Sequence, residues 1–315
     1  MNYSDTLEYL FNRLPMYQRI GPAAYKNNLD NTLALARYLE HPEREFDSIH
    51  IAGTNGKGSV SHMLASVLQE SGLKTALATS PHMKDFRERI RLNGRMVPRS
   101  WVSRFVNRHK GFMEGLQASF FEISIGMTFR YFADQKPDVA VVETGLGGRL
   151  DSTNILSPKL SVITNIGLDH THLLGDSLES IAREKAGIIK PGTPVLIGRR
   201  QAGIHRVFEQ KARDMNAPLY VAEDIIELSE YKKTVSSTLP LLPLLAGLPD
   251  GRQLRLNVSL TGDYQRENVR TVLAALWLFS GLDNNGFAWK DKPVTDGLRK
   301  ISRNTGLRGR WQRLG

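Results

Sequence analysis

The chain has 315 residues, enough for one large α/β domain or two modest ones. It contains no cysteine, which excludes disulfides and thiolate metal sites. Its N-terminal segment lacks the apolar core of a secretion signal, and no apolar run approaches the ~18 residues needed to cross a membrane. We therefore expect a cytoplasmic protein that does not associate with a membrane.

The net charge of +10 raises the question of a nucleic-acid partner. Such a partner calls for basic residues clustered with aromatic ones. Here Arg and Lys are spread along the chain, with denser patches at residues 84–95 and 299–313. Because small anionic substrates account for a basic surface equally well, we expect no nucleic-acid partner.

Apolar, β-branched runs alternate with helical patterns along the chain. This alternation predicts an α/β fold with a mostly parallel sheet that is covered by helices on both faces. The predicted strands are 48–52, 75–79, 139–143, 160–165, 194–198 and 219–221. The predicted helices are 60–71, 99–110, 120–135, 178–186, 202–215, 264–280 and 292–301. Residues 225–260 combine Pro–Leu clusters with polar–apolar alternation, which predicts a small antiparallel sheet.

The segment 49–59, IHIAGTNGKGS, is the most informative stretch of the sequence. It runs from an apolar strand into a turn that holds three glycines, one lysine and a closing serine: Gly53, Gly56, Lys57, Gly58 and Ser59. Closely spaced glycines let backbone N–H groups approach an anion. Lys57 is placed to reach the outer phosphates of a nucleotide, and the Ser59 hydroxyl to hold magnesium. A helix that begins here adds its positive end to the same phosphates.

The turn departs from the general phosphate-loop pattern, which requires glycine at 51 and a hydroxyl at 58, where this chain has Ile51 and Gly58. The compact string G-T-N-G-K-G-S instead resembles the Mur ligase superfamily, in particular its folylpolyglutamate synthase branch. A glycine-rich turn without a ligand is the alternative. The resemblance implies the Mur ligase central-domain fold and an ATP site formed by Gly53, Thr54, Asn55, Gly56, Lys57, Gly58 and Ser59.

Two further strand ends carry polar residues, and ligands gather at the carboxyl ends of parallel strands. Glu143 ends a strand before the string G-L-G-G-R-L-D-S-T-N, where a carboxylate is well placed to hold magnesium. The next strand leads into T-N-I-G-L-D-H, which resembles the superfamily motif T-N-x-x-x-D-H. The resemblance makes His170 a ligand of a second magnesium ion. A solvated glutamate and a zinc-binding or acid–base histidine are the alternatives.

The string E-K-A-G-I around Lys185 also matches the family. The family lysine is carbamylated, so that an amine with a depressed pKa becomes an anion beside the metal. A surface Glu–Lys pair is the alternative. The resemblance thus assigns catalysis to Lys57, Glu143, His170 and Lys185, and magnesium binding to Ser59, Glu143, His170 and the carbamate of Lys185.

The segment LTGDYQREN opens a helix and resembles the family segment that flanks the adenine. Gln265 and Asn268 are three residues apart and share a helix face, so both are expected to meet one base. Simple helix capping by Asp263 is the alternative. The resemblance also places Arg310, in a G-R segment, against the ATP phosphates.

The acceptor side is predicted from two further likenesses. TSPHM resembles the folate-side loop S-P-H-[LM], and SFFE resembles the segment that contacts the pterin in dihydrofolate-forming members. Phe121 suits stacking on a flat pterin, although a core phenylalanine is an equal alternative. The implied folate contacts are Ser80, Pro81, His82, Ser119, Phe121 and Ser152.

The resemblance covers nearly the whole chain. We expect residues 1–297 to form the ATP-binding domain and residues 298–315 to be a linker to a C-terminal Rossmann-like domain outside this chain. The implied activity is the ATP-dependent addition of L-glutamate to folates, with dihydropteroate as a further acceptor, through an acyl phosphate. It implies a monomer that uses ATP and two Mg²⁺ ions.

Two alternatives stay open. A Mur-type ligase of peptidoglycan precursors shares the phosphate loop, although the segment RERIRLNG argues against it. A nucleotide-binding regulator without ligase chemistry needs the phosphate loop but not Glu143, His170 and Lys185.

Overall fold

The computed structural model describes residues 1–15, 28–231, 241–283 and 285–308, and eight of the strands found there form one central sheet. These strands are β1 (Ser48–Ala52), β2 (Thr75–Ala78), β3 (Ile90–Leu92), β4 (Arg95–Met96), β5 (Val139–Glu143), β6 (Leu160–Ile163), β7 (Val195–Ile197) and β8 (Leu219–Val221). Their order is β4-β3-β2-β5-β1-β6-β7-β8. All pairs from β2 to β8 are parallel, and β3 and β4 add an antiparallel edge. The predicted α/β class is confirmed.

The register of the central strands brings three strand ends together. Ile51 of β1 pairs with Glu143 of β5, and Ala52 of β1 pairs with Ile163 of β6. Because the three strands are parallel, the loops that leave β1, β5 and β6 emerge side by side. The phosphate loop, the residues after Glu143 and the residues after Ile163 therefore share one edge of the sheet.

Helices cover both faces of this sheet. They are α1 (Tyr3–Glu8), α2 (Asp30–Tyr38), α3 (Lys57–Glu70), α4 (Arg99–Leu116), α5 (Phe120–Gln135), α6 (Thr171–Leu174), α7 (Leu178–Ala186), α8 (His205–Asp214), α9 (Ala222–Ile225), α10 (Gln265–Ser280), α11 (Asp291–Arg299) and α12 (Ile301–Thr305). A π-helical turn, Tyr9–Arg13, continues α1. Among the described helices, none is long and apolar enough to cross a membrane.

The continuous apolar strands are buried on both faces. In β5, Val139 and Val141 belong to the core shared with α3 and α10, whereas Ala140 and Val142 belong to the core shared with α4 and α5. Successive side chains of a strand point to opposite faces, so an uninterrupted apolar run is what a doubly covered sheet requires. A third core joins β6 and β7 to α7 and α8.

A second sheet is antiparallel and lies where the sequence predicts it. Its strands are β9 (Glu227–Glu230), β10 (Leu242–Gly247) and β11 (Gln253–Val258), in the order β11-β10-β9. Along β11 the side chains alternate between outside and inside, with Leu256 and Val258 fully buried. This sheet therefore buries one face against the core that α3 and α10 share with the central sheet.

Several predicted bounds differ from the structure. The helix predicted at 60–71 begins at Lys57, because Gly56 turns the chain with a positive φ of 86°. The helix predicted at 99–110 continues to Leu116, since Met113 remains buried. The helix predicted at 292–301 is two helices, α11 and α12, and β3, β4, α1 and α2 were not predicted.

Candidate active site

Two glycines set the path of the phosphate loop between β1 and α3. Gly53 has φ 147° and Gly56 has φ 86°, values that favour glycine. A Cβ on Gly53 would lie 1.9 Å from Thr164 Oγ1, and one on Gly56 would lie 2.3 Å from Asn268 Oδ1. The loop is therefore pressed against the loop after β6 and against α10, with no room for a side chain at either glycine.

Hydrogen bonds join the phosphate loop to residues 164–167. Thr54 N donates to Asn165 O at 2.8 Å, and Asn55 N donates to Asn165 Oδ1 at 2.9 Å. Thr164 Oγ1 donates to Asn55 O at 2.6 Å, while Gly167 N donates to Thr54 Oγ1 at 2.9 Å. The two loops thus form one unit, whose shape is set before any ligand binds.

Two lysines converge on one carbonyl of the loop. Lys57 Nζ donates to Gly53 O at 2.9 Å, and Lys185 Nζ donates to the same oxygen at 2.8 Å. Lys185 is buried, and burial, together with the charge of Lys57, lowers its pKa to about 8. An amine with that pKa is partly neutral near physiological pH, which is the form that reacts with carbon dioxide.

Helix α7 carries Lys185 into the site through a close backbone crossing. A Cβ on Gly148 would lie 2.7 Å from Glu184 O, and one on Gly187 would lie 2.4 Å from Arg149 Cα. Glu184 forms an ion pair with Arg149 at 2.8 Å. Lys185 is therefore an interior amine, and Glu184 pairs with Arg149 and not with Lys185.

The oxygen ligands expected for magnesium lie at this sheet edge. Glu143 is buried, and its Oε2 accepts a hydrogen bond from Ser80 N at 3.1 Å. Ser59 is buried in the first turn of α3. Carboxylate and hydroxyl oxygens are the donors that Mg²⁺ prefers, so the chemistry of these two residues fits that ion.

His170 is the residue before the short helix α6. It has φ 46°, and about 39% of its side chain is exposed. Its Nε2 lies 3.6 Å from Asp169 Oδ1. Within the described part of the chain, no three His, Cys, Asp or Glu side chains are grouped closely enough to hold a metal ion. Since Ser59 and Lys185 are not among these residue types, the magnesium ligands expected from the sequence stay a prediction.

The residues predicted to flank the adenine lie behind the phosphate loop. Asn268 Nδ2 donates to Gln265 Oε1 at 2.8 Å, and Asn268 Oδ1 faces Gly56. Gln265 is fully buried, and its Nε2 finds no hydrogen-bond partner among the described residues. Helix α10 begins without a side-chain cap, so Asp263 does not cap it. Buried amides are ordinarily satisfied, which makes the unpaired Nε2 a donor available to a ligand.

On the acceptor side, an arginine joins the predicted loop. Arg89 Nε donates to His82 Nδ1 at 2.8 Å, and its guanidinium lies 5.3 Å from the Phe120 ring centre. Burial lowers the pKa of Arg89 to about 10, against the opposing charge of Glu143. The Ser80–Pro81 peptide bond in this loop is cis.

The other predicted folate contacts are spread over α5 and the turn after β5. Ser119 caps α5, where its Oγ accepts from Glu122 N at 3.2 Å. The Phe121 ring lies over Gly145, because a Cβ there would be 2.3 Å from Phe121 Cζ. Ser152 Oγ accepts from Thr32 Oγ1 at 3.2 Å.

Two neighbouring cavities lead from these residues to the phosphate loop. A small one is lined by Phe121, Arg89 and Glu143 among others. The larger one, of about 240 Å³, lies between the phosphate loop and the predicted folate loop, and its lining includes Gly58, Ser80, Pro81, Arg91, Glu143 and Arg308. Glu143 and Ser80 line both, so they stand at the junction of the nucleotide and acceptor sides. Arg310 lies outside the described residues.

The sequence alone did not point to Arg89 and Arg91, although both lie in the segment RERIRLNG. The available signal was their position: charged residues within an apolar alternation, E-R-I-R-L, are either exposed or specifically paired. Both are buried in the structure. It also missed His50, the one polar residue between the isoleucines of IHIA.

Comparison with known proteins gives consistent matches. The family model of the Mur ligase middle domain matches residues 51–276. The chain is 35% identical to a dihydrofolate synthase/folylpolyglutamate synthase of Bacillus subtilis over 294 residues, which is 88% of this chain and 64% of that relative. The chain therefore spans slightly less than two thirds of that curated relative.

Two solved structures are similar to the fold described above. A complex of folylpolyglutamate synthase with AMPPCP and folate superposes with a TM-score of 0.85 at 30% identity, covering 96% of this chain and 72% of that one. Escherichia coli FolC in complex with DHPP and ADP superposes with a TM-score of 0.79 at 27% identity, covering 100% of this chain and 69% of that one.

Proposed function

We propose a function from one premise: the chain belongs to the Mur ligase family, in its folylpolyglutamate synthase branch. The proposed function is that of an ATP-dependent ligase that joins L-glutamate to a folate, with dihydropteroate as a second acceptor. Support comes from two similar proteins, one solved with an ATP analogue and folate and one with ADP and DHPP. Residues 1–297 are proposed to form the ATP-binding domain and residues 298–315 the start of a connection beyond it.

The convergence of Lys57 and Lys185 on Gly53 O is the observation that carries this proposal. A bare glycine-rich turn has no use for a second, buried ammonium group, because burying a charge costs free energy. A site for a nucleotide with its metal ion makes use of both lysines: Lys57 as a cation toward the phosphates, and the Lys185 amine as the precursor of a carbamate that holds a divalent cation. The nearby carboxylate of Glu143 places an acceptor for a divalent cation at the same strand edge.

The proposed reaction has two steps. An acceptor carboxylate oxygen attacks the γ-phosphorus of ATP, and the bond from that phosphorus to the β-phosphate oxygen breaks. ADP departs, and the acceptor carboxylate has become an acyl phosphate. The glutamate amine then attacks the acyl carbon, and phosphate departs as the amide forms and the amine loses a proton. Lys57 and the N–H groups of the loop stabilise the charge on the transferring phosphoryl group. No protein nucleophile takes part.

Magnesium fits the donors at this edge, and the proposed ligands are Ser59, Glu143, His170 and Lys185 as a carbamate. When bound, the ions would neutralise charge on the phosphates. Carbamylation would turn the buried cation of Lys185 into an anion. Its lowered pKa of about 8 supports that step, because the neutral amine is the reactive form.

Nucleotide contacts are proposed for residues 53–59 and for Gln265, Asn268 and Arg310. The unpaired Nε2 of buried Gln265 supports its part, since a ligand acceptor would satisfy it. On the other side, Ser80, Pro81, His82, Ser119, Phe121 and Ser152 are proposed to border the acceptor. Support for Phe121 is that it lines a cavity together with Glu143. The proposal further takes the protein to be a cytoplasmic monomer.

Equilibrium binding is the first test, because the chain spans about two thirds of its curated relative. A non-hydrolysable ATP analogue is titrated into the chain with Mg²⁺, and then dihydropteroate and tetrahydrofolate are titrated in parallel. Glutamate-dependent ADP release is measured alongside. Binding of both acceptors supports a bifunctional synthase, and binding of one assigns the step. Tight binding of the ATP analogue with neither acceptor would contradict the folate assignment and favour a different Mur-type ligase.

A further inference from the structure

His50 stands in the middle of β1 and makes a hydrogen bond far along the chain. It is fully buried, and its Nε2 lies 2.8 Å from Thr153 Oγ1. Thr153 Oγ1 in turn donates to Asp151 Oδ1 at 2.5 Å. The three side chains form a buried hydrogen-bonded chain from the central strand to the turn that follows β5.

The donors in this chain have only one consistent order. A hydroxyl carries a single proton, and the Thr153 proton goes to the Asp151 carboxylate, so His50 Nε2 must donate. His50 therefore carries its proton on Nε2. Burial keeps the imidazole neutral, since it lowers the pKa of His50 to about 3. The Nδ1 atom has no hydrogen-bond partner in the described part of the structure.

From Asp151 the chain reaches the backbone of the acceptor side. Asp151 Oδ2 accepts from Leu146 N at 2.7 Å, and the Gly145 backbone also donates to this carboxylate. Gly145 is the residue on which the Phe121 ring lies. Ser152, between Asp151 and Thr153, meets Thr32. The turn 145–152 thus carries a proposed stacking surface at one end and a proposed polar contact at the other.

We propose that His50 is a positioning residue for acceptor binding: through Thr153 and Asp151 it fixes the turn 145–152 beneath the folate or dihydropteroate. The inference rests on the proposed function. A buried imidazole costs free energy unless its polar atoms are paired, and an apolar residue at position 50 would avoid that cost. The hydrogen bond to Thr153 therefore accounts for a histidine at this buried position.

The same strand therefore serves both sides of the site. Three residues after His50, β1 has become the phosphate loop at Gly53, whose shape is set by its own hydrogen bonds to residues 164–167. Among the described residues, the side-chain hydrogen bond of His50 leads toward the acceptor turn. Loss of His50 is therefore expected to weaken acceptor binding and to leave nucleotide binding unchanged.

Four variants test this directly: His50→Leu, His50→Gln, Thr153→Val and the double variant His50→Leu/Thr153→Val. Leucine removes the hydrogen-bond donor. Glutamine retains a donor, because its amide nitrogen lies near the position of the histidine Nε2. For each, Kd is measured for the ATP analogue and, with that analogue present, for dihydropteroate and folate. Thermal unfolding of every variant identifies loss of folding.

The expected result is a split between the two ligands. His50→Leu should raise the Kd of the acceptor about five- to tenfold, the size of one buried hydrogen bond, with the Kd of the ATP analogue unchanged. His50→Gln should restore acceptor binding to within about twofold of the unaltered chain. The double variant should be no worse than the poorer single one, because both substitutions break the same chain.

Three outcomes would overturn the positioning role: unchanged acceptor binding in His50→Leu, equal weakening of both ligands, or additive effects in the double variant. If His50→Leu does not fold, the comparison of His50→Gln with Thr153→Val decides, since only the second breaks the chain. An unaltered chain that binds the ATP analogue but neither acceptor would contradict the proposed function itself. That result is distinct from acceptor binding that the variants leave unchanged.

Discussion

The phosphate loop and the segment 167–172 meet at the same sheet edge, yet they are fixed to different degrees. Thr54 and Asn55 are tied by backbone and side-chain hydrogen bonds to residues 164–167. By contrast, 64% of Leu168 is exposed, and His170 and His172 are exposed as well. The phosphate loop and residues 164–167, together called the nucleotide cradle, are thus held by contacts within the fold. In contrast, the side chain expected to hold the second metal ion is exposed.

This difference teaches which parts of the site a short motif encodes. Gly53 and Gly56 permit the positive φ angles that the loop needs, so the string G-T-N-G-K-G-S after a strand indicates such a loop, and the contacts with residues 164–167 set its shape. His170, in contrast, lies in a segment with exposed side chains, and its ligand role stays a prediction. Substitutions in the cradle should therefore have large and simple effects, and those elsewhere smaller or conditional ones.

The largest effect is expected for Lys57→Ala. If Lys57 binds the phosphates as proposed, removal of its ammonium group should weaken binding of the ATP analogue on the order of 100-fold. The fold should persist, because Lys185 still donates to Gly53 O. Calorimetric titration and circular dichroism measure the two effects, with the exposed Lys290→Ala as the matched control. Binding equal to that of the control would refute the assignment of the phosphate site.

Lys185→Ala tests the side of the cradle that faces the metal. If Lys185 supplies a carbamate oxygen, its loss should lower the Mg²⁺-dependent part of nucleotide binding about 10- to 100-fold. Acetate or formate should restore part of it by occupying the space left by the side chain. Lys185→Arg, which keeps a positive charge and cannot form the carbamate, should not respond to carboxylates. Full Mg²⁺ dependence in Lys185→Ala without added carboxylate would rule out the carbamate.

A smaller effect separates backbone strain from close contact. Gly56 and Gly72 have similar positive φ angles of 86° and 90°, but a Cβ meets Asn268 Oδ1 at 2.3 Å only at position 56. Each Gly→Ala change should cost about 1–2 kcal/mol of unfolding free energy from the backbone. Gly56→Ala should lose more than Gly72→Ala and should also weaken nucleotide binding. Urea unfolding compares the two, and equal losses would show that the contact with Asn268 is relaxed at no cost.

The same distinction explains what the sequence could predict. The strands followed from apolar runs such as that of β5, and the cradle followed from a local motif. The contacts of His50 with Thr153, and of Lys185 with Gly53, span more than a hundred residues, so no local pattern predicts them. The β3–β4 edge was missed because these strands are three and two residues long. The exposure of His170 could not be predicted either, because a sequence motif gives the order of residues along the chain and not their burial.

The last effect concerns pH and lies outside the cradle. Burial lowers the pKa of His50 from 6.5 to about 3, so between these values the unfolded chain binds a proton that the folded chain does not. The stabilising contribution of neutral His50 is therefore complete above pH 6.5 and is lost as the pH falls toward 3. Relative to His50→Gln, the unaltered chain should lose at most about 1.4 kcal/mol of unfolding free energy per pH unit in this window. Urea unfolding at several pH values gives the slope of unfolding free energy against pH for each of the two chains. The carboxylates and the remaining histidines contribute equally to both slopes. Parallel slopes would mean that the folded state admits a second proton on His50, at Nδ1, and that burial does not keep the imidazole neutral.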